Sequence, residues 1–399
     1  VISLPRIAVV FGTRPEAIKL APVVLQLKSH PGCEAVVCVT AQQREMLDQV
    51  LKFFAIKPDV DLNLMRPDQS LAEFAGRSIP QLDRAFVRTI PDMVIVQGDT
   101  STALYAALAA FYRQVPVAHV EAGLRTDNIY SPFPEEANRV LISRLSALHF
   151  APTRRAADNL LREGCPSDRV FITGNTGIDA LLMTAERTDS GMLRGVLGAR
   201  VSDERRLVLI TAHRRESFGD AFVSICNAIA DLVASRQDVL FVYPAHLNPN
   251  VQDPVGRILR PLADRVDNLL IPGPLPYHEF VALMKRSYII LTDSGGIQEE
   301  APGLGKPVLV MRETTERQEA IEAGTACLVG TSRELIVQET LRLLDNPTAY
   351  HTMTAARNPF GDGKAAERIV THCLAYLETQ DKSKAATTPK KTSKAGNTQ

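Results

Sequence analysis

Two successive series of short apolar runs, each run followed by a helix-forming stretch, constrain this chain more than any other feature. Ile7–Phe11, Ala35–Thr40, Met93–Gln97, Val117–Glu121 and Leu148–Ala151 have the length and β-branched content of strands buried on both faces. Helical stretches over Ala17–Lys28, Arg44–Phe54 and Thr102–Phe111 separate them. The rhythm restarts with strands expected at Leu207–Thr211, Val239–Tyr243, Leu269–Ile271, Tyr288–Thr292 and Val308–Met311. Ala221–Ser235 and Glu279–Arg286 are the helices of this second series. Alternation of this kind, in two sets, predicts two doubly wound α/β domains. The expected division is 6–180 and 181–363, with the joint around Gly174 to Arg206. Ligands of such sheets bind beyond the carboxyl ends of the strands, so two facing sheets would share one cleft.

Composition narrows the function. Forty-five basic residues balance 45 acidic ones in 399, which disfavours a nucleic-acid or membrane-surface partner. No apolar run approaches the ~20 residues a bilayer-spanning helix needs, and Ile7–Phe11 is too short for a signal-peptide core. Six cysteines without a CxxC pair fit a reduced cytoplasmic protein. Eight scattered histidines with no HExxH motif give no reason to expect a metal site. The stretch 380–399 has five lysines, one proline and no aromatic residue. It buries too little apolar surface to offset its ordering entropy, and a disordered tail is expected there.

Polar residues gather where the strands end. Leu291–Glu300 reads Leu-Thr-Asp-Ser-Gly-Gly-Ile-Gln-Glu-Glu. Ser294, Gly295 and Gly296 leave backbone uncovered at a helix start, where N–H groups and the helix dipole favour a phosphate. Glu299 and Glu300 are candidate acceptors for sugar hydroxyls. Gly12-Thr13-Arg14-Pro15-Glu16 has capping-box spacing, which accounts for Thr13 and Glu16 but leaves Arg14 and Lys19 as cations near an anion. Asp99, taken alone, reads best as a helix N-cap. Glu121, on the last residue of an apolar strand, is harder to assign to solvated surface. Glu135 and Glu136 fall in a first helical turn, where acidic residues ordinarily complement the dipole. His213 stands beside Arg214 and Arg215 after the first strand of the second series. Cations, helix termini and several carboxylates without a metal cluster point to acid–base chemistry on a nucleotide sugar.

These motifs, in this order, resemble the non-hydrolysing UDP-N-acetylglucosamine 2-epimerases from about Arg6 to about Tyr376. The matching blocks include Gly-Thr-Arg-Pro-Glu (12–16), Gly-Asp-Thr (98–100), His-Val-Glu-Ala-Gly-Leu-Arg (119–125), Pro-Glu-Glu-Ala-Asn-Arg (134–139), Thr-Gly-Asn-Thr (173–176), His-Arg-Arg-Glu-Ser (213–217), His-Leu-Asn-Pro-Asn (246–250), Asp-Ser-Gly-Gly-Ile-Gln-Glu-Glu-Ala-Pro (293–302) and Thr-Glu-Arg (315–317). The resemblance implies a GT-B architecture, two Rossmann-like domains around a cleft, with a C-terminal helix near 364–378 returning to the first. It also implies a homodimer, no metal or nicotinamide cofactor, and interconversion of UDP-GlcNAc with UDP-ManNAc through bound 2-acetamidoglucal, feeding surface polysaccharide. By the same resemblance Asp99, Glu121 and Glu135 are the acid–base carboxylates, with His213 at the leaving diphosphate. Arg14, Lys19, Ser294, Gly295, Glu300 and Arg317 fall on positions that hold UDP. Some members bind a second, activating UDP-GlcNAc near the equivalents of Gln42 to Glu45. Gln97 departs from the usual His, Gln318 from the usual Pro, and Glu45 from a neutral Gln. The rival readings are a hydrolysing 2-epimerase, which releases free ManNAc and UDP, a GT-B glycosyltransferase, and a catalytically silent nucleotide-sugar-binding protein.

Overall fold

Apolar strands joined by crossover helices form two parallel sheets in the computed structural model, which describes residues 4–41, 44–66 and 68–387. They belong to separate compact units, 1–173 with 364–399, and 174–363. The first sheet contains β1 (Arg6–Phe11), β2 (Glu34–Val39), β3 (Val60–Asp61), β4 (Met93–Gln97), β5 (Val117–Val120), β6 (Leu148–Ala151) and β7 (Val170–Ile172). Their spatial order is β3-β2-β1-β4-β5-β6-β7. The second contains β8 (Arg206–Thr211), β9 (Val239–Val242), β10 (Leu269–Leu270), β11 (Ile289–Thr292), β12 (Val308–Val310) and β13 (Ala326–Leu328), ordered β10-β9-β8-β11-β12-β13.

Burial on both faces explains why the central strands read as unbroken apolar runs. In β8, Val208 and Ile210 pack with Ile225 and Ile229 of the helix Asp220–Ser235. Leu207 and Leu209 face the other way, among Leu181 and the Val281–Met284 segment. Each fully buried side chain of this size contributes roughly 1.5–3 kcal/mol, so neither face tolerates a polar residue cheaply. In the first unit Ala103, Ala106, Ala107 and Ala110 of the helix Ser101–Tyr112 pack with Ala8, Val10, Val94 and Val96.

Three strands absent from the expected set, β3, β7 and β13, all lie at sheet edges. An edge strand is short and partly exposed, so it has no long apolar run to reveal it. The division also moves: the first unit ends at Thr173 rather than 180. Ile178, Leu181 and Ala185 of the helix Thr176–Arg187 belong to the second core, which takes the whole helix with it.

The C-terminal helix spans Ala365–Thr387 and is grouped with the first unit. Ala365, Ile369, Val370 and Cys373 are buried, His372 stacks on Phe171 at 3.9 Å, and Arg368 donates to the Thr173 carbonyl at 2.9 Å. The expectation of disorder from 380 is corrected as far as Thr387, which is helical. Two lysines and two alanines within 381–387, without Gly or Pro, carry adequate helix propensity there, and composition alone under-weighted it. The rest of the expected tail, 388–399, lies outside the described residues. Among the described residues no helix is long and apolar enough to cross a membrane.

Candidate active site

In the first sheet the strand order reverses between β1 and β4, so the ends of β1, β4 and β5 lie side by side. Thr13 caps the helix Arg14–Ser29 as expected, within a capping box completed by Glu16. Glu16 Oε2 accepts from the backbone N–H groups of Gly12 (3.0 Å) and Thr13 (2.8 Å), while Oε1 accepts from Thr100 Oγ1 at 2.6 Å. One buried carboxylate thereby ties the turn after β1 to the turn after β4. Gly12 is obligatory: a Cβ there would lie 2.1 Å from Thr40 Oγ1 and 2.6 Å from Thr102 Oγ1. Arg14 opens the helix and is half-buried.

Glu121 is not the last strand residue. It follows Val120 with φ +62°, outside the β region, which turns its carboxylate off the sheet line. Lys19 Nζ donates to both its oxygens, at 2.7 and 2.6 Å, and the Gln97 amide donates to Oε2. Lys19 is therefore engaged with Glu121 in this structure.

Asp99 is not the helix cap; Thr100 is, its hydroxyl accepting from Ala103 N at 3.0 Å. Asp99 pairs instead with Arg139, and its backbone carbonyl accepts from Asn138 Nδ2 at 2.8 Å. Burial pushes the Asp99 carboxyl above the usual range, Arg139 opposes this, and the nearby charge of Glu121 adds to the rise. Asn138 and Arg139 belong to the helix Glu135–Leu145, which Glu135 opens. Glu136 is a structural group: it is buried, accepts from Thr126 N at 3.0 Å and pairs with Arg139 at 2.9 Å. Glu135 Oε2, in contrast, is buried with no hydrogen-bond partner among the described residues. A carboxylate oxygen left so is costly and marks a group kept for a ligand or a proton.

Behind these turns His119 and His149 are register partners on β5 and β6, and both are buried. His119 Nε2 is 2.7 Å from the Gly98 carbonyl, which buttresses the turn carrying Asp99. Burial pulls the His119 imidazole down to about 3 and the His149 imidazole down to about 4. The folded state then keeps both neutral while the unfolded chain takes up protons as pH falls through ~6.5. Their contribution is complete above that pH and is lost progressively below it. Between pH 6.5 and 5 unfolding free energy should fall by up to ~1.4 kcal/mol per pH unit for each histidine. His149→Gln should remove about one histidine's share of that slope in urea titrations; an unchanged slope would show that His149 does not fold neutral.

The second sheet reverses between β8 and β11. His213 and Arg214 follow β8, and Asp293 follows β11. The Asp293 side chain is fully buried, and its Oδ2 accepts from the backbone N–H groups of His213 (2.6 Å) and Arg214 (2.7 Å). Tyr243 Oη donates to the Ala212 carbonyl at 2.7 Å, anchoring the same loop. Ser294 is the N-cap of the helix Gly295–Glu300, without a capping side-chain bond. A Cβ on Gly295 would lie 3.3 Å from Arg317 Cζ and 3.5 Å from Arg214 Nη2. Bare backbone here lets two guanidinium groups gather at the helix start. Gly296 is exposed and Glu300 half-buried.

Glu299, expected as a sugar acceptor, is tied within the protein through both carboxylate oxygens. Its Oε1 accepts from Arg317 Nε at 2.7 Å and orients that guanidinium, while its Oε2 accepts from the Asn175 amide. Gln97, Arg139, Asn175, Arg214 and Asp293 were given no site role from the sequence. Four of them lie inside the quoted motifs and Gln97 directly precedes one, but their partners are remote in the chain. Among the described residues no group of three His, Cys, Asp or Glu side chains is placed to hold a metal ion.

Two doubly wound parallel units of this kind make a GT-B-like α/β fold, the class to which enzymes of nucleotide-sugar chemistry belong. The family model for UDP-N-acetylglucosamine 2-epimerase matches residues 25–374. The chain belongs to that family. The UDP-N-acetylglucosamine 2-epimerase of Escherichia coli (strain K12) is 54% identical over 369 residues, spanning 92% of this chain and 97% of its own. A probable UDP-N-acetylglucosamine 2-epimerase of Ralstonia nicotianae is 54% identical over 94% of this chain and all of its own. The UDP-GlcNAc 2-epimerase of Neisseria meningitidis, solved bound to UDP-GlcNAc, superposes with a TM-score of 0.81 at 49% identity, covering 93% of this chain and 100% of that one. That of Methanocaldococcus jannaschii, in complex with UDP-GlcNAc and UDP, gives 0.71 at 32% identity over 93% and 99%. These matches support UDP-GlcNAc 2-epimerase activity.

Proposed function

We propose that the chain interconverts UDP-GlcNAc and UDP-ManNAc without hydrolysis. A carboxylate takes the C2 proton while the C1–O bond breaks and its electron pair leaves with UDP. The C1=C2 bond of 2-acetamidoglucal forms in the same process. UDP then adds back to C1 as a proton reaches the opposite face of C2. Proton transfer on two faces requires more than one acid–base group. The observation that carries this reading is the carboxylate set of the first unit. Glu121 is held by Lys19 and Gln97, Asp99 is paired with Arg139, and a buried Glu135 oxygen has no hydrogen-bond partner.

Arg317, Arg214, Gly295 and Ser294, with His213, Glu300, Arg14 and the exposed backbone at Gly296, take the UDP moiety in this reading. Charge developing on the departing diphosphate is what preorganised donors stabilise most. The UDP-GlcNAc bound by one relative, and the UDP-GlcNAc and UDP bound by another, support a nucleotide-sugar ligand. The same reading includes a homodimer, a cytoplasmic enzyme without metal or nicotinamide, and ManNAc supply for surface polysaccharide. A second UDP-GlcNAc near Gln42 to Glu45 belongs to it as well; Gln42 and Gln43 lie outside the described residues, and Glu45 is exposed.

The test is NMR of UDP-GlcNAc incubated with the protein in D₂O and EDTA. Expected is an equilibrium with UDP-ManNAc carrying deuterium at C2. Accumulation of free ManNAc and UDP would favour the hydrolysing reaction, and activity restored only by a divalent ion would overturn the metal-free reading.

A further inference from the structure

Asp293 does more than pin a loop. Its Oδ2 already accepts both backbone N–H groups of His213 and Arg214, at 2.6 and 2.7 Å. Oδ1 is equally buried, has no hydrogen-bond partner among the described residues, and lies 3.7 Å from His213 Nδ1. A loop pin needs one acceptor oxygen, which an asparagine would supply without bringing a charge into the interior. The second oxygen therefore calls for its own explanation, and His213 Nδ1 is the group placed to give one. Catalytic hydrogen bonds are often long in an unliganded enzyme and shorten when substrate binds.

We propose that Asp293 is a positioning residue for His213, its second carboxylate oxygen holding the imidazole with Nδ1 protonated and Nε2 turned to the leaving diphosphate. The proposal rests on the reading above that His213 serves the diphosphate. The surrounding charges agree with it. Burial lowers the affinity of the His213 imidazole for a proton, and His246, stacked on it at 5.4 Å between ring centroids, and the adjoining Arg214 lower it further. Asp293 is the group that opposes these effects. Tyr243, buried close to Asp293, gives its proton to the Ala212 carbonyl and does not compete for the carboxylate. With Nδ1–H directed at Asp293, Nε2 is free to take a proton from water as charge develops on the diphosphate, and Asp293 stabilises the imidazolium so formed. The logic is that of any carboxylate that fixes a histidine tautomer.

Asp293→Asn separates the two roles of the carboxylate. The amide oxygen still accepts both backbone N–H groups, while the NH₂ replaces Oδ1 and donates to Nδ1, forcing the opposite tautomer. Enzyme labelled with ¹⁵N-histidine, assigned by subtraction with His213→Asn, reports the tautomer directly. The wild-type protein is expected to carry the neutral His213 proton on Nδ1. Asp293→Asn should move it to Nε2 and lower kcat by ~10²–10⁴, with the Kd for UDP within about threefold of wild type. A wild-type His213 protonated on Nε2 overturns the proposal, as does an Asp293→Asn variant with unchanged tautomer and kcat. If that variant does not fold, the wild-type spectrum alone decides. His213→Asn with full kcat would instead remove the diphosphate role of His213, a result independent of where its proton lies.

Discussion

Glu121→Gln, Asp99→Asn and Glu135→Gln are each expected to slow epimerisation by ~10²–10⁴ while UDP still binds. Glu121→Gln should be the most severe. It removes the charge that holds Lys19 at 2.6 Å and leaves that ammonium beside a neutral amide. Asp99→Asn leaves Arg139 with Glu136 as its remaining carboxylate at 2.9 Å, so the helix should keep its position and the defect should fall on kcat. Glu135→Gln alters an oxygen with no hydrogen-bond partner, so it should cost little stability and much activity. A variant able to expel UDP but unable to return the proton should release UDP and 2-acetamidoglucal. Steady-state rates, deuterium incorporation at C2 and UDP titration together decide. Normal turnover with deuterium still entering C2 would show that the acid–base assignment is wrong. Loss of UDP binding would make these carboxylates ligand-positioning groups.

Arg317→Ala and Arg214→Ala should behave oppositely, weakening UDP binding by ~10–100-fold each, since a hydrogen bond to a charged group contributes roughly 1.5–3 kcal/mol. Both guanidinium groups lie over Gly295 at the start of the helix Gly295–Glu300. Glu299→Gln should give a smaller loss of the same kind, because Arg317 would keep its charge and an acceptor at 2.7 Å but lose the charged partner that holds it in place. Isothermal titration with UDP measures all three. Unchanged affinity in Arg317→Ala would place the diphosphate elsewhere, and a kcat defect with full UDP affinity would give Arg317 a role in the chemical step.

Much of this molecule is written locally. Met93–Gln97 and Leu148–Ala151 are strands with the bounds their apolar runs imply, because a strand covered on both faces has to be apolar throughout. The Thr13–Glu16 capping box needs only its three-residue spacing. Val60–Asp61, Val170–Ile172 and Ala326–Leu328 could not be read in this way, since an edge strand is defined by the neighbour it pairs with.

The site divides along the same line. Residue types and motif order were enough for the family, and they named the carboxylates and cations proposed for its chemistry, because a nucleotide sugar calls for such groups at strand ends. Which carboxylate faces which cation was decided only by the fold. Lys19 meets Glu121 across 102 positions, Arg139 meets Asp99 across 40, and Asn175 meets Glu299 across 124. Asp99 reads as a cap until Thr100 takes that place, and no spacing in the sequence shows that the two Glu299 oxygens meet Arg317 and Asn175. Backbone periodicity is a property of neighbours in the chain, whereas the partner of a buried charge depends on strand order and on the turns that bring strand ends together.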